Sequence, residues 1–180
     1  MKKACFTGHR PHKFSFGYEE NHPDCAKIKK SIKDAILISI EDGYDYFISG
    51  MALGVDTWAA EAVLEMKEEF PNIKLEVAIP CAGQEKRWRK EAQERYSNIV
   101  KKADIIYHVS TEVYQSWLMI KRDEYMIDSS DRVIAVYDGT PGGTQKTFDY
   151  GIKKNKEWIK IDPKSFTITK DLCVNQKLDF

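Results

Sequence analysis

The fold of this chain is decided by the stretch Tyr46-Phe47-Ile48-Ser49-Gly50-Met51-Ala52-Leu53-Gly54-Val55-Asp56. An apolar run stops at Gly50, a second glycine follows at Gly54, and an alanine-rich pattern with helical spacing begins at once. This order predicts a strand, a glycine turn and the start of a helix. Such a junction presents unpaired backbone N–H groups at the positive end of a helix, where a phosphate can approach the main chain. A tight turn needs glycines for its own geometry as well, so the role of the stretch depends on the other strand ends.

Apolar runs of strand and helix type alternate along the rest of the chain. Strands are predicted at residues 4–6, 46–48, 75–79, 105–107, 133–137 and 158–161, with a short one at 166–168. Helices are predicted at residues 28–40, 55–70, 82–102, 113–130 and 147–154. Because alternating strands and helices form parallel sheets with helices on both faces, we expect an α/β fold: a Rossmann-like three-layer sandwich with a mostly parallel central sheet.

The composition is that of an ordinary soluble protein. Apolar residues make up 42% of the 180 residues, and 28 basic side chains balance 28 acidic ones. One domain covering residues 1–180 is the simplest organisation, with a core at about 2–162 and a C-terminal tail at 163–180. The balanced charge disfavours a general nucleic-acid binder.

The location is predicted to be cytoplasmic, since the N-terminus does not resemble a signal peptide and no apolar run has transmembrane length, which argues against a membrane protein. The four cysteines are far apart and form no CxxC pair, so neither a metal site nor a disulfide framework is predicted.

Polar and glycine residues follow several of the predicted strands. In an open parallel sheet the carboxyl ends of the strands lie at one edge, where ligands bind. We therefore expect the ligand-binding residues to be Thr7, Gly8, His9, Arg10, Gly50, Met51, Ala52, Gly54, Asp56, Arg122, Asp138, Gly142, Gly143 and Thr144.

Three of these expectations have a plain structural alternative. His9 and Arg10 are equally compatible with a turn that faces solvent. Asp56 suits either the N-cap of its helix or a ribose hydroxyl. Arg122, on the predicted fourth helix, is either a ligand of an anion or a solvated salt-bridging side chain.

A strongly basic segment extends from Glu85 to Lys102 and includes Trp88 and Tyr96. It is typical of a solvated helix face with buried aromatics. Its alternative is an interface for single-stranded nucleic acid or a protein partner that uses Arg87, Trp88, Arg89 and Arg95.

Four motifs together resemble the SLOG superfamily, which includes DprA and the Lonely Guy hydrolases, and above all its YpsA-like branch. They are Thr7-Gly8-His9-Arg10-Pro11, Ser49-Gly50-Met51-Ala52-Leu53-Gly54-Val55-Asp56, Arg122-Asp123-Glu124-Tyr125-Met126-Ile127-Asp128 and Gly142-Gly143-Thr144. The resemblance covers about residues 2–162 and implies a nucleotide or nucleotide-derived ligand.

The resemblance also supplies an enzyme alternative, a nucleoside-monophosphate phosphoribohydrolase. Its candidate catalytic residues are Arg122 and Asp149, although Lonely Guy enzymes have a further glycine, a threonine and a glutamate after their Pro-Gly-Gly where this chain has Thr144-Gln145-Lys146-Thr147-Phe148-Asp149. No cofactor is predicted beyond the nucleotide-type ligand. Homo-oligomerisation is left open, and nucleic acid is the less favoured partner.

Overall fold

The computed structural model describes residues 1–171, which form one seven-stranded sheet covered by five helices. The strands are β1 (Lys2–Gly8), β2 (Tyr44–Ser49), β3 (Lys74–Ile79), β4 (Ile105–His108), β5 (Arg132–Val136), β6 (Glu157–Ile161) and β7 (Ile168–Asp171). The helices are α1 (Pro23–Glu41), α2 (Val55–Met66), α3 (Lys90–Lys102), α4 (Ser116–Asp128) and α5 (Gly143–Lys153), with a short 3₁₀ turn at Pro11–Lys13.

The strand order is β4-β3-β2-β1-β5-β6-β7, and among the strands within residues 1–171 only β7 runs antiparallel to its neighbour. Successive strands move outward from β1 to β4 in one direction, and the chain then returns to place β5 on the other side of β1. The order therefore reverses between β1 and β5, and the loops after these two strands diverge there to leave a crevice.

Each face of the sheet has its own apolar core. On one face α1, α2 and α3 pack with residues such as Ile28, Trp58 and Ile99 on the sheet. On the other face α4 and α5 contribute Met126, Ile127 and Phe148. The predicted three-layer, Rossmann-like α/β fold is confirmed. Among the helices within residues 1–171, no segment has the length and apolar composition that crossing a bilayer requires.

The element boundaries differ from the prediction in three informative places. Helix α3 begins at Lys90 and not at residue 82, because the chain first makes turns that include Gly83, whose φ is 68°. Helix α4 begins at Ser116, since Val113 instead forms a parallel bridge with Ala82. Helix α5 begins at Gly143, one turn earlier than predicted.

The last strand also differs from the prediction. Residues 168–171 pair with β6, whereas residues 166–168 were expected to form the strand. Phe166 has a left-handed φ of 60° and so belongs to the turn before β7. The rest of the predicted tail, residues 172–180, lies outside the described part of the chain.

Candidate functional site

A crevice of about 270 Å³ opens where the strand order reverses. The loops after β1 and β5, the start of α2, the first turns of α4 and the start of α5 form its walls. Its lining residues are Phe6, Thr7, Gly8, His9, Arg10, His12, Lys13, Ala52, Asp56, Met119, Ile120, Arg122, Asp123, Pro141, Gly142, Gly143 and Thr144. Most of the ligand-binding residues predicted from the sequence thus lie around one crevice, and Gly50, Met51, Gly54 and Asp138 support its walls from behind.

The guanidinium of Arg122 is the buried positive charge of this crevice. Only 4% of Arg122 is exposed, so the alternative of a solvated salt-bridging arginine is wrong. Its Nε donates to Oδ1 of Asp123 at 2.8 Å, and its Nη1 donates to the carbonyl oxygen of Gly50. A Cβ on Gly50 would lie 2.6 Å from that Nη1, which explains the need for glycine at the end of β2.

Two carboxylates accompany Arg122. Asp56 is 7% exposed, and its Oδ2 lies 3.9 Å from Nη1 of Arg122. Burial raises the pKa of Asp56 to about 6, an effect that the charge of Asp123 reinforces and that Arg122 and the amide of Ala52 oppose. The crevice therefore contains an acid that exchanges its proton close to neutral pH.

The N-cap interpretation of Asp56 is wrong. Gly54 occupies the N-cap of α2 with a φ of 90°, and Asp56 is the second residue of the helix. Its Oδ2 accepts a hydrogen bond from the amide of Ala52 at 3.3 Å, in the turn before the helix. A Cβ on Gly54 would lie 2.9 Å from the carbonyl oxygen of His9, so the glycine also allows the loop after β2 to pack against the loop after β1.

The turn at residues 50–54 is held by hydrogen bonds of Ser49, the last residue of β2. Ser49 Oγ accepts from the amide of Met51 at 3.1 Å and donates to the carbonyl of Asp56 at 2.8 Å. Met51 is fully buried with a φ of 55°, a conformation that a non-glycine residue adopts only where its surroundings hold it there. Because the amides of Met51 and Ala52 already have partners, they are not available to a phosphate.

Backbone amides that are available to a phosphate lie at the start of α5. Gly142 is its N-cap, and no side chain within residues 1–171 caps it. The first-turn amides have no partner inside an α-helix, and Lys146 is the first to bond back, to the carbonyl of Gly142. Apart from its two chain neighbours and the backbone of its own helix, no heavy atom of the described chain lies within 4 Å of a Cβ built on Gly143, so tertiary packing does not require glycine there.

His9, in the wall of the crevice, pairs with Asp138 behind it. His9 is 6% exposed, so a solvent-facing role is wrong for it, whereas Arg10 is exposed at the mouth. Nε2 of His9 lies 2.9 Å from Oδ1 of Asp138. Burial alone would raise the pKa of Asp138, but hydrogen bonds from His9, Thr140 and Lys164 hold it well below its usual range.

The candidate catalytic carboxylate Asp149 does not line the crevice. It lies on the exposed side of α5. The carboxylate that the sequence reasoning missed is Asp123, whose Oδ2 accepts from the hydroxyl of Thr147 at 3.0 Å. Asp123 directly follows Arg122 in the third motif of the resemblance, and its place in that motif was the available signal.

Helix α4, which carries Arg122 and Asp123, is fixed to the sheet by a buried carboxylate. Glu76 on β3 is almost fully buried and accepts from the hydroxyls of Tyr125 at 2.7 Å and Tyr46 at 2.5 Å. The ring of Tyr107 stacks on Tyr125 with centroids 3.8 Å apart. Glu76 thereby sets the height of α4 above the strand ends.

A second cavity, of about 530 Å³, adjoins the crevice, and Arg10, Ala52 and Met119 border both. The turns at residues 82–88 and the loop before α4 form its other walls. Its remaining lining residues are Ala82, Gly83, Gln84, Lys86, Arg87, Trp88, Val113 and Tyr114. The sequence reasoning did not predict this cavity.

The basic segment contributes less free charge than its composition suggests. Arg95 is bound on both sides, by Glu61 through Nε and Nη2 and by Glu20 through Nη1 at 2.6 Å. Trp88 packs edge-on against Tyr96 with ring centroids 5.6 Å apart. Arg87 and Arg89 remain exposed.

Comparison with known proteins identifies the family. The family model YpsA, described as the YspA SLOG family, matches residues 4–170. The chain belongs to this SLOG family. A UPF0398 protein of Brevibacillus brevis is 36% identical over 147 residues, which cover 81% of this chain and 78% of the relative. A UPF0398 protein of Bacillus cereus is 35% identical over 159 residues, covering 87% and 85%.

Two solved DprA structures share the SLOG fold. That of Helicobacter pylori, described for its unique single-stranded DNA binding mode, has a TM-score of 0.61 and 18% identity over 89% of this chain. That of Streptococcus pneumoniae has a TM-score of 0.63 and 17% identity over the same share. The chain spans 65% and 50% of those two proteins, less than two thirds of either. The predicted membership of the SLOG superfamily and its YpsA-like branch is confirmed.

Proposed function

We propose that the crevice binds a nucleotide or nucleotide-derived ligand through its phosphate and ribose. The observation that carries the proposal is the convergence of an uncapped helix N-terminus and a buried arginine on one crevice. The first-turn amides of α5 and the side chain of Thr144 would hold the phosphate, and the exposed Arg10 would neutralise it.

The sugar would lie against the carboxylates. Asp56 lines the crevice beside Arg122, and a carboxylate is the usual acceptor for ribose hydroxyls in such folds. Gly143 adds a further argument: since neither packing nor a positive φ requires a glycine there, the close approach of a ligand to the backbone gives its absent side chain a purpose.

Gly143→Ala is the sharpest test. The new methyl group meets no atom of the described chain beyond its own helix and chain neighbours, and alanine favours a helix, so the melting temperature should stay the same or rise. The methyl would occupy the space of the phosphate, and we expect the affinity for nucleotides to fall at least tenfold. Lys146→Ala, an exposed substitution in the same helix, is the control and should leave binding unchanged.

The ligand panel for this test comprises nucleoside mono- and diphosphates, ADP-ribose, NAD and inorganic phosphate. Thermal shift gives a first screen, because a ligand that binds the folded state stabilises it. Calorimetry then gives the dissociation constants. If no member stabilises the wild type, or if Gly143→Ala binds as well as the wild type, the proposed phosphate position is refuted.

Hydrolysis of the N-glycosidic bond of a nucleoside monophosphate is a second candidate. The observation that favours it is the pair of crevice carboxylates: Asp56, with its pKa of about 6, can hold a proton near neutral pH, and Asp123 lies on the other side of Arg122. Release of free base that Asp56→Asn and Asp123→Asn abolish, and Asp149→Asn does not, would support it. Inertness of all purine and pyrimidine monophosphates would exclude it.

Binding of single-stranded nucleic acid is the third candidate, favoured by the shared fold with DprA. Of the four residues of the predicted interface, Arg95 is held in ion pairs, whereas Arg87 and Arg89 are exposed and lie outside those pairs. Binding of an oligonucleotide that weakens steeply with salt, and is lost in the double variant Arg87→Glu and Arg89→Glu, would support this function. Equal binding by the double variant would contradict it.

A further inference from the structure

The short 3₁₀ turn after β1 carries basic side chains that the protein does not use for its own structure. Arg10, His12 and Lys13 are exposed, and all three border the crevice. Within residues 1–171 their side chains form no hydrogen bond and no ion pair. The N–H groups of these side chains are therefore available to a molecule in the crevice.

Two apolar residues hold this turn in place. Pro11 is buried, and a Cβ on Gly54 would lie 2.9 Å from its Cδ, so the turn packs directly against the start of α2. Phe14 is 9% exposed, and the centroid of its ring lies 5.6 Å from that of Trp58. The amide of Phe14 donates to the carbonyl oxygen of Pro11 at 3.1 Å. The backbone that carries the basic side chains is thus fixed before a ligand binds, which lowers the entropic cost of binding.

The turn and the start of α5 border the same crevice from two neighbouring strands. β1 pairs directly with β5, and neighbouring strands lie about 4.8 Å apart. The turn follows β1, and Gly142, Gly143 and Thr144 follow β5. At about 270 Å³ the crevice is close to the lower end of the range for ligand sites, so one ligand contacts both loops.

The charge of the turn is not taken up by the carboxylates of the crevice. Asp123 accepts from Nε of Arg122 at 2.8 Å, and Asp56 lies 3.9 Å from Nη1 of the same guanidinium. The proposed function uses Arg10 for the phosphate at the start of α5, which leaves the ammonium of Lys13 without a role. An unpaired cation on a fixed turn beside a phosphate position suits a further anionic group.

We propose that Lys13 and His12 bind a second phosphate group, so that the ligand of the crevice is a nucleoside diphosphate. The terminal phosphate accepts hydrogen bonds from Nζ of Lys13 and from an imidazole N–H of His12, while the first phosphate lies at the start of α5. A nucleoside monophosphate leaves both side chains unused. This inference rests on the proposed nucleotide function and specifies its ligand.

The test compares AMP with ADP by calorimetry on the full-length protein, without added divalent cations, so that the phosphates keep their charge. The wild type should bind ADP at least about tenfold more tightly than AMP. In the double variant His12→Ala and Lys13→Ala that ratio should fall to about one, while the affinity for AMP is retained. Lys74→Ala is the matched control and should keep the wild-type ratio, because Lys74 is exposed and begins β3 at the opposite, amino edge of the sheet.

A pair of single substitutions separates the charge of Lys13 from its contribution to folding. Lys13→Arg keeps the charge and should keep the preference for ADP, whereas Lys13→Glu should bind ADP no more tightly than AMP. Both replace an exposed side chain, so the melting temperature without ligand should stay as in the wild type. Inorganic pyrophosphate and phosphate, which have neither sugar nor base, should show the same order of affinity as ADP and AMP.

The outcomes distinguish the second phosphate position from the crevice itself. Equal wild-type affinities for AMP and ADP, or an unchanged ratio in the double variant, would overturn the second position while binding of AMP still supports the crevice. Failure of AMP, ADP, phosphate and pyrophosphate alike would overturn the proposed function itself.

Discussion

Asp56→Asn should make the protein more stable at neutral pH. The folded-state pKa of Asp56 is about 6, against an ordinary value of 3.8. Since each pKa unit corresponds to 1.36 kcal/mol, keeping this carboxylate ionised inside the fold costs about 3 kcal/mol. Asparagine has almost the same shape and never ionises, so it avoids that cost.

The pH dependence of this effect follows from the direction of the shift. A folded-state pKa above the unfolded one favours folding of the protonated form, so its contribution to stability is complete below about pH 4 and is lost as pH rises through 6. The gain from Asp56→Asn should therefore be about 3 kcal/mol above pH 7 and should vanish near pH 4. In melting temperature the gain is about 6–12 °C for a chain of this size.

Urea denaturation at pH 8, 6 and 4 measures the effect directly. Asp149→Asn is the control, because Asp149 is exposed and its substitution should change the free energy of unfolding by no more than about 0.5 kcal/mol at any of these pH values. An Asp56→Asn variant that is less stable than the wild type at pH 8 would contradict this prediction. A gain that is equal at pH 8 and pH 4 would refute it as well.

Two further substitutions test how the crevice is supported. Gly50→Ala places a Cβ 2.6 Å from Nη1 of Arg122. This contact should lower the free energy of unfolding by about 1–3 kcal/mol in urea denaturation. An unchanged denaturation midpoint would show that Arg122 moves aside freely. Tyr125→Phe removes a hydrogen-bond donor from the buried carboxylate of Glu76 and should lower the free energy of unfolding by about 1–3 kcal/mol. The control, Tyr107→Phe, keeps the stacked ring at the exposed edge and should lower it by less than about 0.5 kcal/mol. Equal losses in the two variants would contradict the role given to Glu76.

The sequence was sufficient to predict the sheet and the location of the crevice. Strand periodicity and glycine turns are local signals, and in a parallel sheet all strands end at one edge, so a correct strand list places the loops together. For this reason Thr7, Arg10 and Gly143 were predicted next to Asp56 without any knowledge of contacts.

The roles of individual side chains depended on information that local patterns do not contain. Asp149 was a candidate because the resemblance to Lonely Guy enzymes implies a carboxylate after Pro-Gly-Gly. In the structure it lies on the exposed side of α5. Asp123 is directed into the crevice by its bonds to Arg122 and Thr147, a tertiary arrangement. Gln84 lies in the irregular turns before α3, a segment that was predicted to be helical. The sequence pattern therefore gave no indication of the cavity that Gln84 lines.

The free-energy cost of burying an ionised carboxylate at position 56 also raises the question of why the protein has an aspartate there. A residue whose replacement stabilises the fold is typical of a site where binding requires a group that folding does not. If Asp56 accepts hydrogen bonds from ribose, Asp56→Asn should gain stability and lose affinity for ribonucleotides at the same time. The discriminating measurement is the ratio of affinities for AMP and its 2′-deoxy analogue, which should be at least about tenfold in the wild type, since a hydrogen bond to a charged group contributes about 1.5–3 kcal/mol. In Asp56→Asn the ratio should fall several-fold, because the asparagine oxygen still accepts a hydrogen bond but carries no charge. In Asp149→Asn it should stay as in the wild type. An identical ratio in the wild type and Asp56→Asn would show that Asp56 does not contact that hydroxyl, and the buried charge would then have to be explained by Arg122, its partner at 3.9 Å.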